Sequence, residues 1–254
     1  MNTIERRHDI VQLALNKGKV AVSDLVVKYG YSAVTIRSDL NYLHKKGLLI
    51  RSRGGAIACN KITQELSVDE KHHKHIKVKR KLAQLVCSLI NEGDAIILDS
   101  GTTTEEVAKC LAAFRRLVVM TNGLNIAQNL LHSDDFEVMM TGGTLRKTSM
   151  SFYGSQAEDS IRRYYFDKVI LGVDGIDFNS GITTHFEYEA ILNRTMCEIA
   201  KEVIVVADSS KFNRTGIHKI CGFSAINTFV TDSQIPDEFA QTIEQAGAKL
   251  IIAQ

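Results

Sequence analysis

The sequence predicts an α/β protein in two parts: a small helical unit that ends in a β-hairpin, and a larger domain built on a doubly wound parallel sheet. Helical spacing of apolar residues dominates the first sixty residues, whereas β-prone runs alternate with helical segments after residue 94. Charge divides the chain in the same way. Residues 1–81 hold 17 lysines and arginines against 7 aspartates and glutamates, and residues 82–254 hold 14 against 22. A basic segment joined to an acidic one indicates that the first part contacts nucleic acid.

These patterns predict an N-terminal domain at residues 1–58, a basic linker at 59–80 and the larger domain at 81–254. The N-terminus is charged from its fifth residue, and no apolar run approaches the ~20 residues of a membrane span. We therefore expect a cytoplasmic protein that does not interact with a membrane. Five scattered cysteines without a C-x-x-C pair argue against a disulfide framework and against a zinc ribbon.

Three histidines in the linker, His72, His73 and His75, could suggest a metal site. Only Glu70 accompanies them at ligand spacing, so a solvated helix face is the favoured interpretation, and no metal or other cofactor is expected. The charged run then becomes an amphipathic helix that leads into the second domain. Its apolar positions are Leu82, Leu85, Val86 and Leu89.

Three short helices are expected before residue 48. The first spans residues 3–17, the second lies within residues 20–30, and the third begins after its N-cap, Ser32, and ends before Gly47. After Gly47, two β-prone runs flank the basic segment RSRGG, which predicts a β-hairpin. Helices followed by such a hairpin are typical of a winged helix-turn-helix.

The third helix carries short hydrogen-bond donors and cations opposite its apolar stripe, where an ordinary solvated helix more often carries Glu and Lys pairs. Such side chains can reach base edges and phosphates in a major groove. We expect Asp39 to orient Arg37 or to stabilise the helix, because phosphates repel a carboxylate. The candidate DNA-binding residues are Ser32, Thr35, Arg37, Ser38, Asn41, Tyr42, Lys45, Arg51 and Arg53.

Seven apolar runs alternate with helical segments in the second domain; they are AIILDS, LVVMTN, EVMMTGG, KVILGVDGI, EVIVVADSS, TFVTDS and KLIIAQ. Continuous apolar strands between helices predict a parallel sheet covered on both faces. Ligands bind outside the carboxyl ends of such strands. Small and polar residues follow five of the strands, in DSGTTT, TNG, TGGTLR, GVDGID and DSSKF, so we expect one crevice to collect them.

The stretch DSGTTT, residues 99–104, predicts a glycine turn and a hydroxyl-rich helix start, which could hold a phosphorylated small molecule. Thr103 and Glu106 also fit a T-x-x-E capping box. With an acidic first turn, binding of a phosphate would depend on the loop, the hydroxyls and a cation such as Lys211 or Arg146. Alternatively, Arg146 could pair with a surface carboxylate.

Residues 7–40 combine the spacing of Arg7, Val11 and Leu15 with the run T-I-R-x-D-L. In these features they resemble the helix-turn-helix of the DeoR-type regulators of bacterial sugar operons. Residues 70–254 resemble the sensor domain of the same regulators, a fold similar to ribose-5-phosphate isomerase. The likeness is greatest to repressors of N-acetylgalactosamine and galactosamine use, through TGGTLRKTSMSFYG, GVDGID, THFEYEAILNRTMCEIA and DSSKFNRTGIHKI.

The resemblance implies that a phosphosugar binds to loops of the second domain. The residues implied are Asp99, Gly101, Thr102, Thr103, Asn122, Gly142, Gly143, Asp174, Glu189 and Lys211. Gly142 and Gly143 could instead only make a turn. Phe186 stands where the family usually has an asparagine, which would remove a polar contact to the sugar.

Two functions could use the same crevice. One is a non-enzymatic repressor of an amino-sugar operon, a dimer or tetramer that a sugar phosphate releases from operator DNA. The other is an isomerase with a DNA-binding head and Glu189, Asp99 or Asp174 as its base. GITTHFEYEA replaces the glycine-rich run that cradles the enediolate in the isomerases, and His185 and His218 lack a nucleophile at a recognisable elbow, so the sequence favours a repressor without catalytic residues. A nucleoid-type binder with little sequence preference is a weaker third alternative.

Overall fold

The computed structural model describes residues 1–59, 65–131 and 135–254; residues 60–64 of the expected linker thus lie outside the described residues. The first elements are α1 (Thr3–Lys17), β1 (Lys19–Ala21), α2 (Val22–Tyr29), α3 (Ala33–Lys45), β2 (Leu49–Ser52) and β3 (Gly55–Ala58). The strands form an antiparallel sheet in the order β1-β3-β2. The three expected helices and the hairpin are confirmed. Strand β1 overlaps the start of the segment interpreted as the second helix, because three residues are too few to show a β period.

Apolar side chains from α1, α2, α3 and the hairpin form the core of this domain. Asp39 is also buried, and its two carboxylate oxygens accept hydrogen bonds from Arg6 Nε and Arg7 Nε at 2.7 Å each. The expectation that Asp39 orients Arg37 is therefore wrong. The carboxylate instead ties α3 to α1, and its two arginine partners compensate for its burial.

The remaining helices are α4 (Val68–His72), α5 (Ile76–Cys87), α6 (Thr102–Cys110), α7 (Leu124–Leu130), α8 (Ser155–Ile161), α9 (Glu187–Ile199) and α10 (Asp237–Gln245). The remaining strands are β4 (Ala95–Leu98), β5 (Val118–Thr121), β6 (Glu137–Met140), β7 (Thr144–Arg146), β8 (Ser151–Tyr153), β9 (Phe166–Leu171), β10 (Gly175–Asp177), β11 (Gly181–Thr184), β12 (Ala200–Val206), β13 (His218–Cys221), β14 (Thr228–Asp232) and β15 (Lys249–Ala253).

Seven strands form a parallel sheet in the order β15-β14-β12-β9-β4-β5-β6. Helices α5, α6 and α7 pack on one face, through residues such as Leu82 and Val107. Helices α8, α9 and α10 pack on the other, through residues such as Met196 and Phe239. The expected doubly wound parallel sheet is therefore confirmed, and all seven apolar runs are its strands. Two antiparallel units, β7-β8 and β10-β11-β13, extend beyond it.

No helix in the described part of the chain is long and apolar enough to cross a membrane.

Candidate ligand pocket and nucleic-acid face

A pocket of about 440 Å³ opens at the carboxyl ends of β4, β9 and β12, where the sequence predicts a crevice. This volume is in the range of small-molecule sites, roughly 300–1,000 Å³. Seven of the eleven predicted pocket residues line it; they are Asp99, Gly101, Thr102, Thr103, Asp174, Glu189 and Lys211. Residues of α4 and α5 line it as well. The pocket is therefore shared between the sheet and the segment that leads to the N-terminal domain.

Three of the predicted residues support the pocket from outside its lining. Asn122 is buried, and its Oδ1 accepts the N–H of Ser100 at 2.9 Å, which holds the DSG turn in place. Gly142 and Gly143 join β6 to β7 with positive φ angles. A Cβ on Gly143 would lie 2.6 Å from the carbonyl oxygen of Tyr153, so this position requires glycine for the turn.

Helix α6 begins at the pocket directly after Gly101, whose φ of 146° suits glycine. No side chain of the described residues caps this helix, so its first N–H groups can bind an anion. The predicted capping box is wrong. Glu106 instead lies 3.1 Å from Arg80 Nε and 2.6 Å from Lys109 Nζ, and these ion pairs withdraw its carboxylate from the helix start.

Lys79 and Lys211 line the pocket and are at least half-buried. Within residues 1–59, 65–131 and 135–254, no carboxylate lies within ion-pair distance of either lysine. Lys79 is buried, and its Nζ donates to the Thr102 hydroxyl at 2.8 Å and to the carbonyl oxygen of Lys71 at 2.7 Å. Burial lowers the pKa of Lys79 to about 8, and it also lowers the pKa of the second lysine, Lys211. Cations that have lost water and lack a counterion attract an anionic ligand.

Asp174 supplies an ionised carboxylate to the pocket. Lys71 Nζ lies 2.7 Å from its Oδ1, and the Thr184 hydroxyl donates to its Oδ2 at 3.1 Å. Burial works to raise the pKa of Asp174, but the positive charges of Lys71, His185 and Lys211 hold it well below its usual range. Asp174 can therefore accept hydrogen bonds from a ligand only in competition with partners that it already has.

Asp99 is in the opposite electrostatic environment. Its side chain is buried, and the amide of Asn193 lies 3.4 Å from its Oδ2. Burial and the nearby charge of Glu189 raise the pKa of Asp99 well above its usual value. This shift favours the protonated form of Asp99, and a protonated carboxyl can donate a hydrogen bond.

The fourth predicted residue outside the lining is Arg146, and its partners are buried rather than at the surface. Its guanidinium binds both carboxylate oxygens of Glu65, with Nη2 to Oε2 at 2.7 Å, and its Nη1 lies 3.4 Å from Oε1 of Glu189. Nη2 also lies 3.1 Å from Nε2 of His8 on α1. We call Arg146, Glu65, His8 and Glu189 the Arg146 junction. It connects the N-terminal domain, the linker and a pocket carboxylate.

Glu65 is ionised in the Arg146 junction. Burial works to raise its pKa, but hydrogen bonds from Arg146 and His8 outweigh this effect and hold the pKa at about 2. Oε1 of Glu189 accepts further hydrogen bonds from the hydroxyls of Ser149 at 2.6 Å and Ser151 at 3.0 Å. Because Glu65 and Glu189 also line the pocket, a ligand that contacts either carboxylate competes with Arg146.

Other contacts hold α1 against the second domain. Nδ1 of His8 lies 3.1 Å from the carbonyl oxygen of His185, and a carbonyl can only accept, so Nδ1 carries the hydrogen. The Tyr153 hydroxyl donates to Glu5 Oε1 at 3.1 Å. Phe186 is buried, with its ring centroid 4.4 Å from the guanidinium carbon of the Arg146 junction. Phe186 thus supports the junction and does not line the pocket.

The outward face of α3 is open to solvent. Four of the predicted DNA-binding residues are exposed along one stripe of this helix; they are Arg37, Ser38, Asn41 and Lys45. Ser32 caps the helix by accepting the N–H of Thr35 at 3.1 Å, and the two hydroxyls are 2.9 Å apart. These two residues therefore fix the helix start. Arg53 is exposed at the turn of the hairpin.

The other two predicted DNA-binding residues, Tyr42 and Arg51, make contacts within the N-terminal domain. Tyr42 is half-buried against the core, and the guanidinium carbon of Arg7 lies 3.8 Å from its ring centroid. Arg51 is half-buried and donates to the carbonyl oxygen of Gly55 across the hairpin. In this conformation, Tyr42 and Arg51 stabilise the domain.

Four residues of the site were missed by sequence reasoning: Lys71, Lys79, Glu65 and His8. Lys71 and Lys79 belong to a basic run that was interpreted as solvated. One signal could have identified Lys79, because it lies three residues before Leu82 and thus on the apolar stripe of α5. Glu65 and His8 have no such pattern, since their partners are distant in sequence.

Two family models match the chain. Residues 6–62 match the DeoR-like helix-turn-helix domain, and residues 74–233 match the DeoR C-terminal sensor domain. Ribose 5-phosphate isomerase A of Methanocaldococcus jannaschii aligns in structure over 55% of each chain, with a TM-score of 0.41 and 14% sequence identity.

Curated relatives match over nearly their whole length. A protein of Escherichia coli O157:H7, provisionally named as the aga operon transcriptional repressor, is 46% identical over 252 residues, which cover 98% of this chain and 94% of that protein. The glycerol-3-phosphate regulon repressor of Escherichia coli K12 is 30% identical over 243 residues, or 96% of each chain. The chain therefore belongs to the DeoR family of DNA-binding transcriptional repressors.

Proposed function

We propose that this protein represses an amino-sugar catabolic operon and that a phosphorylated amino sugar in the pocket releases it from operator DNA. The Arg146 junction carries this proposal, because it connects α1 of the DNA-binding domain to Glu189 of the pocket. The likeness to repressors of N-acetylgalactosamine and galactosamine use supports the sugar class. Since a repressor acts where its operator is, we assign it to the cytoplasm.

We assign the phosphate to the start of α6. The uncapped N–H groups of this helix, the Thr102 hydroxyl and Lys79 Nζ lie together there, and Lys211 lines the same pocket. A phosphate dianion would replace the water that the two lysines lost on burial, and charge-assisted hydrogen bonds are about twice as strong as neutral ones. Arg146 is not needed for this role, because Glu65 and Glu189 already occupy its guanidinium.

The sugar would then face the acidic part of the pocket. Asp174 and Glu189 supply acceptors for hydroxyl or ammonium groups, and Asp99 supplies a donor in its protonated form, which its raised pKa favours. A ligand with a phosphate at one end and an amino or acetamido group at the other matches this division of charge.

Release from DNA would follow from competition at the Arg146 junction. A sugar that contacts Glu189 or Glu65 disturbs the carboxylate contacts of Arg146 and of His8, whose Nε2 lies 3.0 Å from Oε2 of Glu65, and so frees α1 to move. A ligand that binds the closed and open arrangements of the junction equally does not change their populations. The sugar phosphate must therefore bind more tightly when the junction is open. A coupling free energy of about 1–3 kcal/mol is typical of such systems.

A repressor of this kind needs more than one copy of the DNA-binding domain. A single winged helix contacts few base pairs, and symmetric oligomers bind repeated half-sites one helical turn apart. We therefore propose that the active form is a dimer or tetramer on operator DNA.

Sugar-phosphate isomerisation is the alternative function, and we infer that the protein lacks it. A general base must be ionised and free to take a proton. Burial raises the pKa of Asp99 and so favours its protonated form, Asp174 is bound to Lys71, and Glu189 accepts from two serine hydroxyls and from Arg146. The three candidate bases are thus engaged in ways that suit ligand sensing.

Fluorescence anisotropy tests the proposal. Purified protein is titrated onto DNA from upstream of its own and neighbouring genes at fixed salt, since phosphate contacts make affinity salt-dependent. Hexosamine phosphates are then added, with the unphosphorylated hexosamines as matched controls. Sequence-selective binding that only a sugar phosphate releases supports the repressor. Consumption of the sugar phosphate would indicate the isomerase, and binding without sequence preference would indicate the nucleoid-type binder.

A further inference from the structure

One apolar side chain interrupts the polar stripe of α3. Val34 is 74% exposed, although it is the second residue of this helix and aligns at i+3, i+4 and i+7 with Arg37, Ser38 and Asn41. An exposed valine in water contributes nothing to the core of the domain. Its position on the DNA-binding stripe therefore calls for a partner that buries it.

The position within the helix narrows the choice of partner. Residues near the N-terminus of a recognition helix contact base edges in the major groove. The apolar feature that a base pair presents there is the C5-methyl group of thymine, which packs against aliphatic side chains. We propose that Val34 recognises a thymine in each operator half-site by packing its methyl groups on the C5-methyl group. This inference rests on the proposed binding of operator DNA.

Tyr31 and Val27, which are among the other exposed apolar residues of the domain, do not fit this role. Tyr31 has its ring covered by Arg6, whose guanidinium carbon lies 4.1 Å from the ring centroid, and its hydroxyl donates to the carbonyl oxygen of Met1. Val27 is 85% exposed, but it lies on α2, and the first helix of a helix-turn-helix crosses the DNA backbone. Val27 is consequently a matched control for Val34.

The test pairs a protein change with a DNA change. The bound site is first located by footprinting of the full-length protein, and each thymine in it is then replaced by deoxyuridine, which removes only the methyl group. With the unchanged protein, one thymine in each half-site should respond to the replacement. Each thymine methyl group that is lost from its contact with Val34 should weaken binding about fourfold. With Val34→Ala the same replacement should have a clearly smaller effect, because the two γ-methyl groups of valine are gone and only the Cβ of alanine remains.

Two controls keep the result interpretable. Alanine has a higher helix propensity than valine, so Val34→Ala should leave helix content and unfolding unchanged. Val27→Ala should keep the full sensitivity to deoxyuridine. The inference is overturned if no thymine shows the fourfold effect, or if the effect is the same in Val34→Ala and in the unchanged protein. Absence of any selective site for the unchanged protein would instead contradict the proposed function.

Discussion

The exposed polar stripe of α3 and the pocket of the second domain, for which we propose DNA binding and ligand binding, hold their polar side chains in opposite ways. On α3, the side chains of Arg37, Ser38 and Asn41 are exposed and make no hydrogen bond or ion pair within the described residues. In the pocket, Asp174 and Glu189 already have partners. The stripe can therefore bind DNA while it keeps all its present interactions, whereas a ligand in the pocket must exchange existing interactions for new ones.

This difference suggests separate roles for the two regions: the stripe suits tight binding, and the pocket suits a response to a ligand. A preformed open surface binds its partner at little reorganisation cost, so the recognition that we propose for the stripe needs no rearrangement of its side chains. In the pocket, Glu65 and Glu189 bind Arg146, which also contacts His8 of α1. A ligand that binds either carboxylate would therefore rearrange the Arg146 junction. Lys79 and Lys211 of the pocket resemble the stripe, since among the described residues they lack carboxylate partners.

Removal of the central cation should have the largest effect. Arg146→Met leaves the carboxylates of Glu65 and Glu189 buried without their cationic partner. The free energy of unfolding should therefore fall by about 3–5 kcal/mol. Urea denaturation measures this change. Arg115→Met is the control, because its ion pair with Asp135 is exposed and should contribute less than about 1 kcal/mol. Similar values for the two variants would show that the junction does not hold the domains together.

Loss of a free pocket cation should act on the sugar phosphate alone. Lys79→Met removes a charge-assisted hydrogen bond, which should weaken sugar-phosphate binding about 10- to 100-fold in calorimetry. Operator affinity without sugar should not change. Lys77→Met, an exposed lysine on the same helix, should bind the sugar phosphate normally. If both variants bind it normally, the phosphate does not lie at the start of α6.

The stripe should show the reverse separation. Arg37→Ala should weaken operator binding by about 1–3 kcal/mol, because an exposed arginine of a recognition helix contacts a base or phosphate. Sugar binding and the unfolding transition should be unchanged. Arg162→Ala, an exposed arginine of the second domain, provides the comparison. Unchanged operator affinity in Arg37→Ala would contradict the assignment of α3 as the recognition helix.

The smallest expected effect is a pH dependence of sugar-phosphate affinity. Lys79 is charged below its pKa of about 8 and neutral above it, while a phosphate monoester is already a dianion at pH 7.5. Affinity should therefore fall by up to about tenfold between pH 7.5 and pH 9. Lys79→Met should remove most of this dependence. An equal pH dependence in that variant would assign the titration to another group.

The sheet and the recognition helix were predictable because their signals are local. Each strand of the parallel sheet is a continuous apolar run, and Ser32 and Gly47 bracket α3 as cap and stop. The pocket was located for a similar reason, since polar residues collect where these strands end. Seven of its residues could be named from the motifs, although their role in ligand binding remains a prediction.

The parts that could not be predicted depend on contacts between distant segments. Glu106 fits a capping box in sequence, but Arg80 and Lys109 attract it elsewhere in the fold. Two partners of Arg146, His8 and Glu65, come from a helix and a linker more than 80 residues away, and the third, Glu189, comes from α9. Local patterns carry no information about such pairings, because a charged residue in a polar segment looks the same whether it is solvated or paired.

The Arg146 junction also limits how the two domains can be recombined. A hybrid that joins this DNA-binding head to the sensor of another regulator separates His8 and Glu65 from Arg146, and leaves buried charges unmatched at the seam. The three residues must be transferred as a set for the hybrid to fold and to respond to a ligand. The N-terminal domain and the second domain are in this sense coupled, even though each forms a core of its own.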